Sequence, residues 1–339
     1  LQRAVTWIVA QQQRDGSFET VAHGQPGITS LCTMALLSQG HLAGEGPYGK
    51  HLDRALDFIL ASQRSNGLVA RHAHDGPLER RAMDHEIGVS AVYNHAISSL
   101  LLTEVYAMAP GEKSQQIELV VNRALAATLA HQQWEKPRPV DTGGWRYLHP
   151  FMNREADLSI AGWQLKFLRS AKNAGFNVPQ GAIDQAVGYV LRCFNPRFGV
   201  FEYTAQTEDQ RSRGMAGAGI LALAHSGMHH RSEAVRSAEW ILQHPFNEYN
   251  HILTFSQPGH YKDRYHYGVF LCTRAMYQMG GRYWQEFYPA TARTLLAHQN
   301  RDGSWPVDSH YAESQYGRTY STALVVLALS APNQLLPIY

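Results

Sequence analysis

A segment that recurs along the chain constrains the fold more than any other feature of the sequence. Residues 3–18 read RAVTWIVAQQQRDGSF, and residues 292–305 read ARTLLAHQNRDGSW. Both copies run from a helical pattern through Gln into a turn that contains Gly and an aromatic residue. Further copies start at Arg54, Arg123 and Ala182, with a weaker one at Ala234. A spacing of about 50 residues is typical of proteins built from helical repeats.

A second helix follows each turn, and its residues are apolar on nearly every face. These helices start near Ile28, Val89, Leu158, Met215, Tyr267 and Tyr320. A helix that is apolar all round is buried on several sides, whereas the first helix of each copy carries polar residues on one face. The sequence therefore predicts an all-α fold, an α/α toroid of about six helical hairpins with an inner and an outer ring.

An open solenoid is the alternative arrangement, and it needs polar capping repeats at both ends. In this chain the first and last copies are the two that resemble each other most. Two ends that meet share one environment, so their likeness favours a closed ring. We therefore expect one toroid domain that spans residues 1–339.

The composition argues against several classes of protein. Of the 339 residues 44% are hydrophobic and 17% are charged, and the formal net charge is +2. The basic residues are scattered, so we expect no nucleic-acid partner. No apolar run is long enough to span a bilayer, so a membrane association is not evident. The chain starts at Leu1 rather than at Met, so we expect that preceding residues were removed, and the sequence leaves the compartment open.

The turns of the repeat also resemble a known family. Four copies carry the pattern Gln, spacer, Gly, aromatic or apolar residue: Gln12-Gly16-Phe18, Gln63-Gly67, Gln132-Gly144-Trp145 and Gln299-Gly303-Trp305. This pattern resembles the QW repeat of terpenoid cyclases such as squalene-hopene cyclase and of the β subunits of protein prenyltransferases. The resemblance is closest in kind to a bacterial branch with one toroid. It implies a toroid fold and an ancestry in isoprenoid chemistry.

The resemblance also implies positions for catalytic acids. Type II cyclases of the family protonate an alkene with the middle Asp of a DxDD motif. Here Asp157 falls on the proton donor and Glu155 on the first acid of that motif, while Leu158 replaces the third. The alternative is that Asp157 caps the inner helix that begins at Leu158.

The metal site of the prenyltransferases has only a partial counterpart. The segment around His266 resembles their His-bearing segment, but the preceding inner helix starts Arg211-Ser212-Arg213-Gly214, without the Asp and Cys ligands. We therefore expect no zinc and no other cofactor. A site made of His and carboxylate ligands from Asp84, His85 and Glu86 stays open as an alternative.

Polar residues precede the inner helices, where the mouth of a ring would lie. Our candidates for binding a ligand there are Asp84, His85, Glu86, Arg213, Arg264, Tyr265, His266, Tyr316 and Arg318. Helix N-termini together with Arg predict an anion site. In the alternative interpretation these Arg residues and acids pair with one another in a solvated loop layer.

Three functions are compatible with these residues. The first is a cyclase-like or transferase-like protein that binds an isoprenoid or other lipid-like ligand, with Asp157 as the acid. In the second, a non-catalytic ring binds a small hydrophobic or anionic ligand or a partner protein. The third is an enzyme similar to polysaccharide lyases that uses His95 in the run Tyr93-Asn94-His95. Aromatic residues such as Trp163 and Phe270 would line the cavity or belong to the core.

Overall fold

A computed structural model describes residues 1–109, 111–206, 209–254 and 263–333 of the chain, which are mostly helical. Their helices are α1 (Gln2–Ala10), α2 (Gly27–Leu37), α3 (Gly49–Leu60), α4 (His85–Tyr106), α5 (Gly111–Gln132), α6 (Leu158–Asn173), α7 (Gln180–Arg192), α8 (Arg213–Ala224), α9 (Ser232–Gln243), α10 (Tyr265–Met279), α11 (Gly281–Ala297), α12 (Tyr311–Ser314) and α13 (Gly317–Leu329). Short 3-10 helices lie at Ala22–Gly24, Pro139–Asp141 and Ala331–Asn333, and two short strands, β1 (Phe194–Asn195) and β2 (Val200–Phe201), pair in antiparallel fashion.

Six helices form a closed inner ring. Helix α2 packs against α4, α4 against α6, α6 against α8, α8 against α10, α10 against α13, and α13 returns to α2. Every residue of α2 is buried, as is nearly every residue of α8 and α13, because these helices have neighbours on all sides. The apolar helices therefore lie inside, as the sequence predicts.

The outer ring consists of α1, α3, α5, α7, α9 and α11. Each packs on the inner helices beside it and buries one face, for example Leu52, Ala55, Leu56 and Ile59 of α3. Polar residues occupy the opposite face, in the manner of an amphipathic surface helix. The predicted α/α toroid is confirmed.

The recurring Gln residues join neighbouring outer helices. The side-chain amide of Gln12 donates to the carbonyl of Gly16 in its own turn, at 3.0 Å, and to the carbonyl of His51 in α3, at 2.8 Å. Gln63 and Gln132 make the equivalent pairs of bonds, to Gly67 and Val120 and to Gly143 and Ala182. One buried or half-buried side chain thus fixes both the turn and the position of the next outer helix.

The last turn meets the first helix, which closes the ring. Gly303 has a φ of +97°, and a Cβ atom built on it would lie 2.4 Å from the carbonyl oxygen of Arg3 in α1. The Arg3 guanidinium also donates to the Oε1 atom of Gln299 at 3.1 Å. Only glycine fits this backbone conformation at such close approach. The likeness of the two chain ends therefore reflects a shared contact.

No helix in the described ranges is long and apolar enough to cross a membrane.

Candidate functional site

A cavity of about 410 Å³ lies where the first turns of all six inner helices meet. Its volume falls in the range of small-molecule sites, roughly 300–1,000 Å³. Residues from α2, α4, α6, α8, α10 and α13 line it, together with α12 and the loops before the helices. The common direction of the inner helices therefore brings one end of each repeat to the same place.

Charged and imidazole side chains line part of the cavity wall. Glu86 lies in the first turn of α4, and its carboxylate is 3.9 Å from the Nε2 atom of His23. Glu313 of α12 pairs with Arg264, and both residues line the cavity. His85 also lines it. These groups form a polar region, which we call the mouth, made of Glu86, Glu313, Arg264 and His85.

A pair of histidines lies beside the mouth. The Nδ1 atom of His85 is 3.0 Å from the Nε2 atom of His149, so one of these nitrogens donates a proton to the other. The two rings stack with centroids 5.0 Å apart. Because the His85 Nδ1 atom is engaged in this bond, its other ring nitrogen is the one left for a ligand.

The opposite part of the cavity, which we call the floor, is aromatic and aliphatic. The Trp163 indole N–H donates to the hydroxyl of Tyr267 at 3.0 Å, and that hydroxyl is also 2.9 Å from the Ser159 hydroxyl. Trp163 stacks nearly parallel on Phe270, with ring centroids 5.9 Å apart. Aliphatic side chains complete the floor: Ile28, Leu31, Ile97, Met215 and Leu324.

Asp157 is buried directly behind the cavity wall and caps α6. Its Oδ1 atom accepts the N–H of Ile160 at 2.9 Å, which is the bond expected of an N-cap residue. Its Oδ2 atom accepts the hydroxyl of Tyr203 at 3.1 Å, and the Nε atom of Arg146 lies 3.8 Å away. Burial raises the pKa of Asp157 to about 6, although Arg146 and the hydrogen bonds oppose the rise.

Tyr203 connects Asp157 to the cavity. Its hydroxyl is 2.9 Å from the hydroxyl of Tyr147, and both tyrosines line the cavity, whereas Asp157 does not. The Arg146 guanidinium lies over both rings, 4.9 Å from the centroid of Tyr147 and 5.5 Å from that of Tyr203. The Tyr203 hydroxyl therefore links the Asp157 carboxyl to the cavity lining.

Glu155, the second predicted acid, lies elsewhere. Its carboxylate is 2.8 Å from the guanidinium of Arg80, and the ammonium group of Lys136 donates to its backbone carbonyl. Burial raises the pKa of Glu155 against the opposing charges of Arg80 and Lys136. The structure does not bring Glu155 to the cavity.

Of the predicted ligand-binding residues, the structure brings His85, Glu86, Arg264 and Tyr316 together around the cavity. Asp84 instead caps α4 by accepting the N–H of Ile87, and it lines a separate surface hollow.

Four predicted residues make structural contacts away from the cavity. Arg213 is almost fully buried and pairs with Asp263, with a closest distance of 2.6 Å. The Nδ1 atom of His266 is 2.9 Å from the carboxylate of Asp308. Tyr265 packs against Phe246 in an edge-on arrangement. Arg318 is half exposed and donates to Asp302 at 2.8 Å.

His95 is held between two neighbours within the wall of the ring. Its Nδ1 atom accepts the N–H of Val69 at 3.1 Å, and its Nε2 atom is 2.8 Å from the hydroxyl of Thr128. Burial lowers its pKa to about 3. The adjacent Asn94 lines the cavity, but its amide bonds the backbone at Gly27 and Gln25. The structure therefore does not bring Asn94 and His95 together as a base at the cavity.

At four of the six inner helices, a carboxylate of the chain accepts one of the N-terminal N–H groups. Besides Asp84 and Asp157, carboxylate oxygens of Asp263 and Asp308 accept the N–H of Arg213 and of His266, each at 2.9 Å. These bonds satisfy donors that an external anion would otherwise use. The predicted anion site thus has carboxylates at four of its helix ends.

No group of three or more His, Cys, Asp or Glu residues in the described ranges is arranged to hold a metal ion.

Sequence reasoning missed Tyr147, Tyr203, Tyr267 and Glu313 as cavity residues. A signal for two of them exists, because Tyr147 and Tyr203 each follow the turn aromatic of their copy, Trp145 and Phe201, by two residues. Glu313 carries no comparable signal, since it lies on the short helix α12 outside the repeat pattern.

Comparison with solved structures finds the same fold in other proteins. No protein-family model matches the sequence. No curated protein matches it either. The cellobiose 2-epimerase of Spirochaeta thermophila DSM 6192 is 11% identical, with 98% of this chain and 94% of that chain covered and a TM-score of 0.63. The type II terpene cyclase MstE of Scytonema is 13% identical over 99% of this chain and 98% of that chain, with a TM-score of 0.57.

A third similar structure is a UGL variant with dGlcA-Glc-Rha-Glc, 13% identical over 100% of this chain and 98% of that one, with a TM-score of 0.62. At these identities the likeness concerns the fold. The chain is therefore an α/α toroid, with the architecture found in toroid enzymes that include an epimerase and a terpene cyclase.

Proposed function

We propose that this protein binds an isoprenoid or similar lipid-like molecule in its central cavity and transfers a proton to it. The apolar chain of the ligand lies against the floor, and its polar end lies at the mouth. Asp157 is the source of the proton, and Tyr203 delivers it.

The pairing of the wall hydroxyls carries the ligand assignment. Tyr203 bonds Asp157 and Tyr147, and Tyr267 bonds Trp163 and Ser159. Because the hydroxyls of Tyr147 and Tyr267 are engaged with other side chains, these two tyrosines offer a ligand mainly the surface of their rings, whereas the Tyr203 hydroxyl is the one that exchanges a proton with the ligand. Together with Ile28, Leu31 and Leu324, this surface favours a hydrocarbon over a molecule rich in hydroxyl groups.

The same rings suit the chemistry. Protonation of a double bond leaves a carbocation, and aromatic faces attract cations through their quadrupole. Trp163 is the largest such side chain in the cavity, and its bond to Tyr267 fixes its ring. The Lys166 ammonium already lies 3.7 Å from the centroid of the Trp163 ring, so we assign the stabilisation of a cation mainly to the faces of the tyrosines that line the cavity.

The proton transfer involves two hydroxyl-bearing groups in line. The protonated carboxyl of Asp157 gives its proton to the oxygen of Tyr203 while the proton of Tyr203 passes to the ligand. Tyr203 is unchanged by this exchange, and Asp157 becomes a carboxylate. The N–H of Ile160 and the charge of Arg146 then stabilise that carboxylate.

Thermal unfolding with a series of isoprenoids tests the ligand assignment. Geranylgeraniol should raise the melting temperature, because a ligand that binds only the folded state stabilises it. Ala312→Trp, which adds bulk at the cavity lining, should remove this rise. Leu296→Trp places the same side chain on the exposed face of α11 and should keep it. A rise that survives Ala312→Trp, or no rise with any isoprenoid, contradicts the assignment.

Asp157→Asn tests the acid. Asn caps a helix as well as Asp does, so the variant keeps the fold but has no proton to transfer. Products of a C20 isoprenoid, followed by gas chromatography, should disappear. Turnover that persists in this variant would show that another group is the acid.

A further inference from the structure

The mouth carries little capacity to bind a highly charged anion. Its charged residues are two carboxylates, Glu86 and Glu313, and one guanidinium, Arg264. Glu313 and Arg264 pair with each other, which leaves Glu86 as the remaining charge. Two imidazoles face Glu86 or lie beside it: His23, at 3.9 Å, and His85, which is bonded to His149.

The other Arg residues near the inner helix ends already face carboxylates. Arg213 makes several bonds to Asp263 and also donates to the backbone carbonyls of Pro245 and His251. Arg146 lies beside Asp157. Moving any of these groups toward an anion would leave a buried carboxylate without its partner, which is costly in a low-dielectric interior.

Four of the six inner-helix N-termini already carry a carboxylate of the chain. A diphosphate usually gains from free N–H groups at the start of a helix. In this ring, side-chain oxygens of Asp84, Asp157, Asp263 and Asp308 accept such groups at α4, α6, α8 and α10. Each of them also adds a negative charge close to the end of its helix.

We infer that the ligand's polar end is a neutral hydroxyl or a cationic amine that meets Glu86, and that the site rejects a diphosphate. This inference rests on the proposed function, since it concerns the head group of the same ligand. A hydroxyl or ammonium group can donate a hydrogen bond to the Glu86 carboxylate, whereas a diphosphate brings further negative charge to it. The chemistry in the cavity then starts from the proton rather than from the loss of a diphosphate.

Three probes with one hydrocarbon chain test the inference: geranylgeranylamine, geranylgeraniol and geranylgeranyl diphosphate. Calorimetric titration should give the tightest binding for the amine, then the alcohol. We expect the diphosphate to bind at least about tenfold more weakly than the alcohol, which corresponds to one like-charge contact of modest strength. Glu86→Gln should reduce the difference in affinity between the amine and the diphosphate. The control Glu79→Gln changes an exposed carboxylate away from the cavity and should leave this difference unchanged.

The outcomes separate this inference from the proposed function. If the diphosphate binds most tightly, the head-group assignment is wrong while the isoprenoid cavity stands. If Glu86→Gln changes neither the order of the three affinities nor the differences between them, Glu86 does not contact the polar end of the ligand. Failure of all three probes to bind overturns the isoprenoid cavity itself.

Discussion

Asp157 and Asp263 are two buried carboxylates that precede inner helices, and their partners differ. Asp157 caps its own helix α6, whereas Asp263, two residues before α10, accepts the N–H of Arg213 at the start of α8. Asp263 lies against Arg213, with both carboxylate oxygens bonded at 2.7–2.9 Å. Asp157 has its Arg146 at 3.8 Å and uses its second oxygen to bond a tyrosine of the cavity wall. Both oxygens of Asp263 are therefore bonded to Arg213, whereas Asp157 is linked through Tyr203 to the cavity.

The difference in partners gives the two carboxylates different roles: Asp263 stabilises the packing of two repeats, and Asp157 suits proton transfer. A carboxylate that is fully paired holds α8 and α10 together, because Arg213 and Asp263 belong to these neighbouring repeats. Burial raises the pKa of both carboxyls, that of Asp157 to about 6, but Asp157 has the more distant cation and accepts a hydrogen bond from a tyrosine that lines the cavity. A group that both holds and releases a proton near neutral pH suits acid–base chemistry.

Breaking the Arg213–Asp263 pair should have the largest effect. Arg213→Met leaves a buried carboxylate without its cation, which we expect to lower the free energy of unfolding by about 3–5 kcal/mol. Urea denaturation at neutral pH measures this change. Arg231→Met, which breaks an exposed pair with Glu233, is the matched control and should change little. A small effect of Arg213→Met would remove the distinction between the two carboxylates.

The second largest effect should be a change in the pH dependence of stability when Asp157 is replaced. Its pKa in the folded protein, about 6, lies above its ordinary value of 3.8, so the folded state binds the proton more tightly than the unfolded state. The wild type should therefore lose stability, relative to Asp157→Asn, as the pH rises from about 4 to about 6. The difference in pKa corresponds to roughly 3 kcal/mol over this interval.

Urea denaturation of both proteins between pH 4 and pH 7 measures this loss. Subtracting the Asp157→Asn curve removes the contributions of the other titrating groups, which both proteins share. Parallel curves would mean that Asp157 has an ordinary pKa, and its place in the proposed mechanism would then be lost.

Tyr203→Phe should have the smallest effect on stability, about 2 kcal/mol, because it removes the hydrogen bonds of the hydroxyl to Asp157 and to Tyr147. The bond from Tyr203 lowers the pKa of Asp157, so its loss should move the pH interval of the Asp157 effect upward. The same denaturation series detects this movement. Tyr147→Phe keeps the bond between Tyr203 and Asp157 and serves as the control; an equal shift in both variants would argue against a direct link.

The fold followed from the sequence because its main contacts repeat. Gln12, Gln63 and Gln132 each bond a turn carbonyl and the next outer helix, and the same residue types recur at the same places in these copies. The cap role of Asp157 could also be predicted, since an N-cap depends only on local chain geometry.

The site was less accessible to sequence reasoning, because its contacts join distant residues. Arg213 and Arg264 both lie at the start of an inner helix, but only Arg264 lines the cavity. What diverts Arg213 is Asp263, 50 residues further along, and that pairing depends on how α8 and α10 pack. Likewise Tyr203 meets Asp157 only because the loop after β2 returns to the start of α6.

A crystal structure with bound geranylgeraniol would test the central claim most directly. The account predicts electron density for the hydrocarbon chain against Trp163 and Leu324, with the hydroxyl group beside Glu86 and a chain carbon near the hydroxyl of Tyr203. Density for the ligand outside the ring, or with its hydroxyl at the floor and its chain at the mouth, would contradict it.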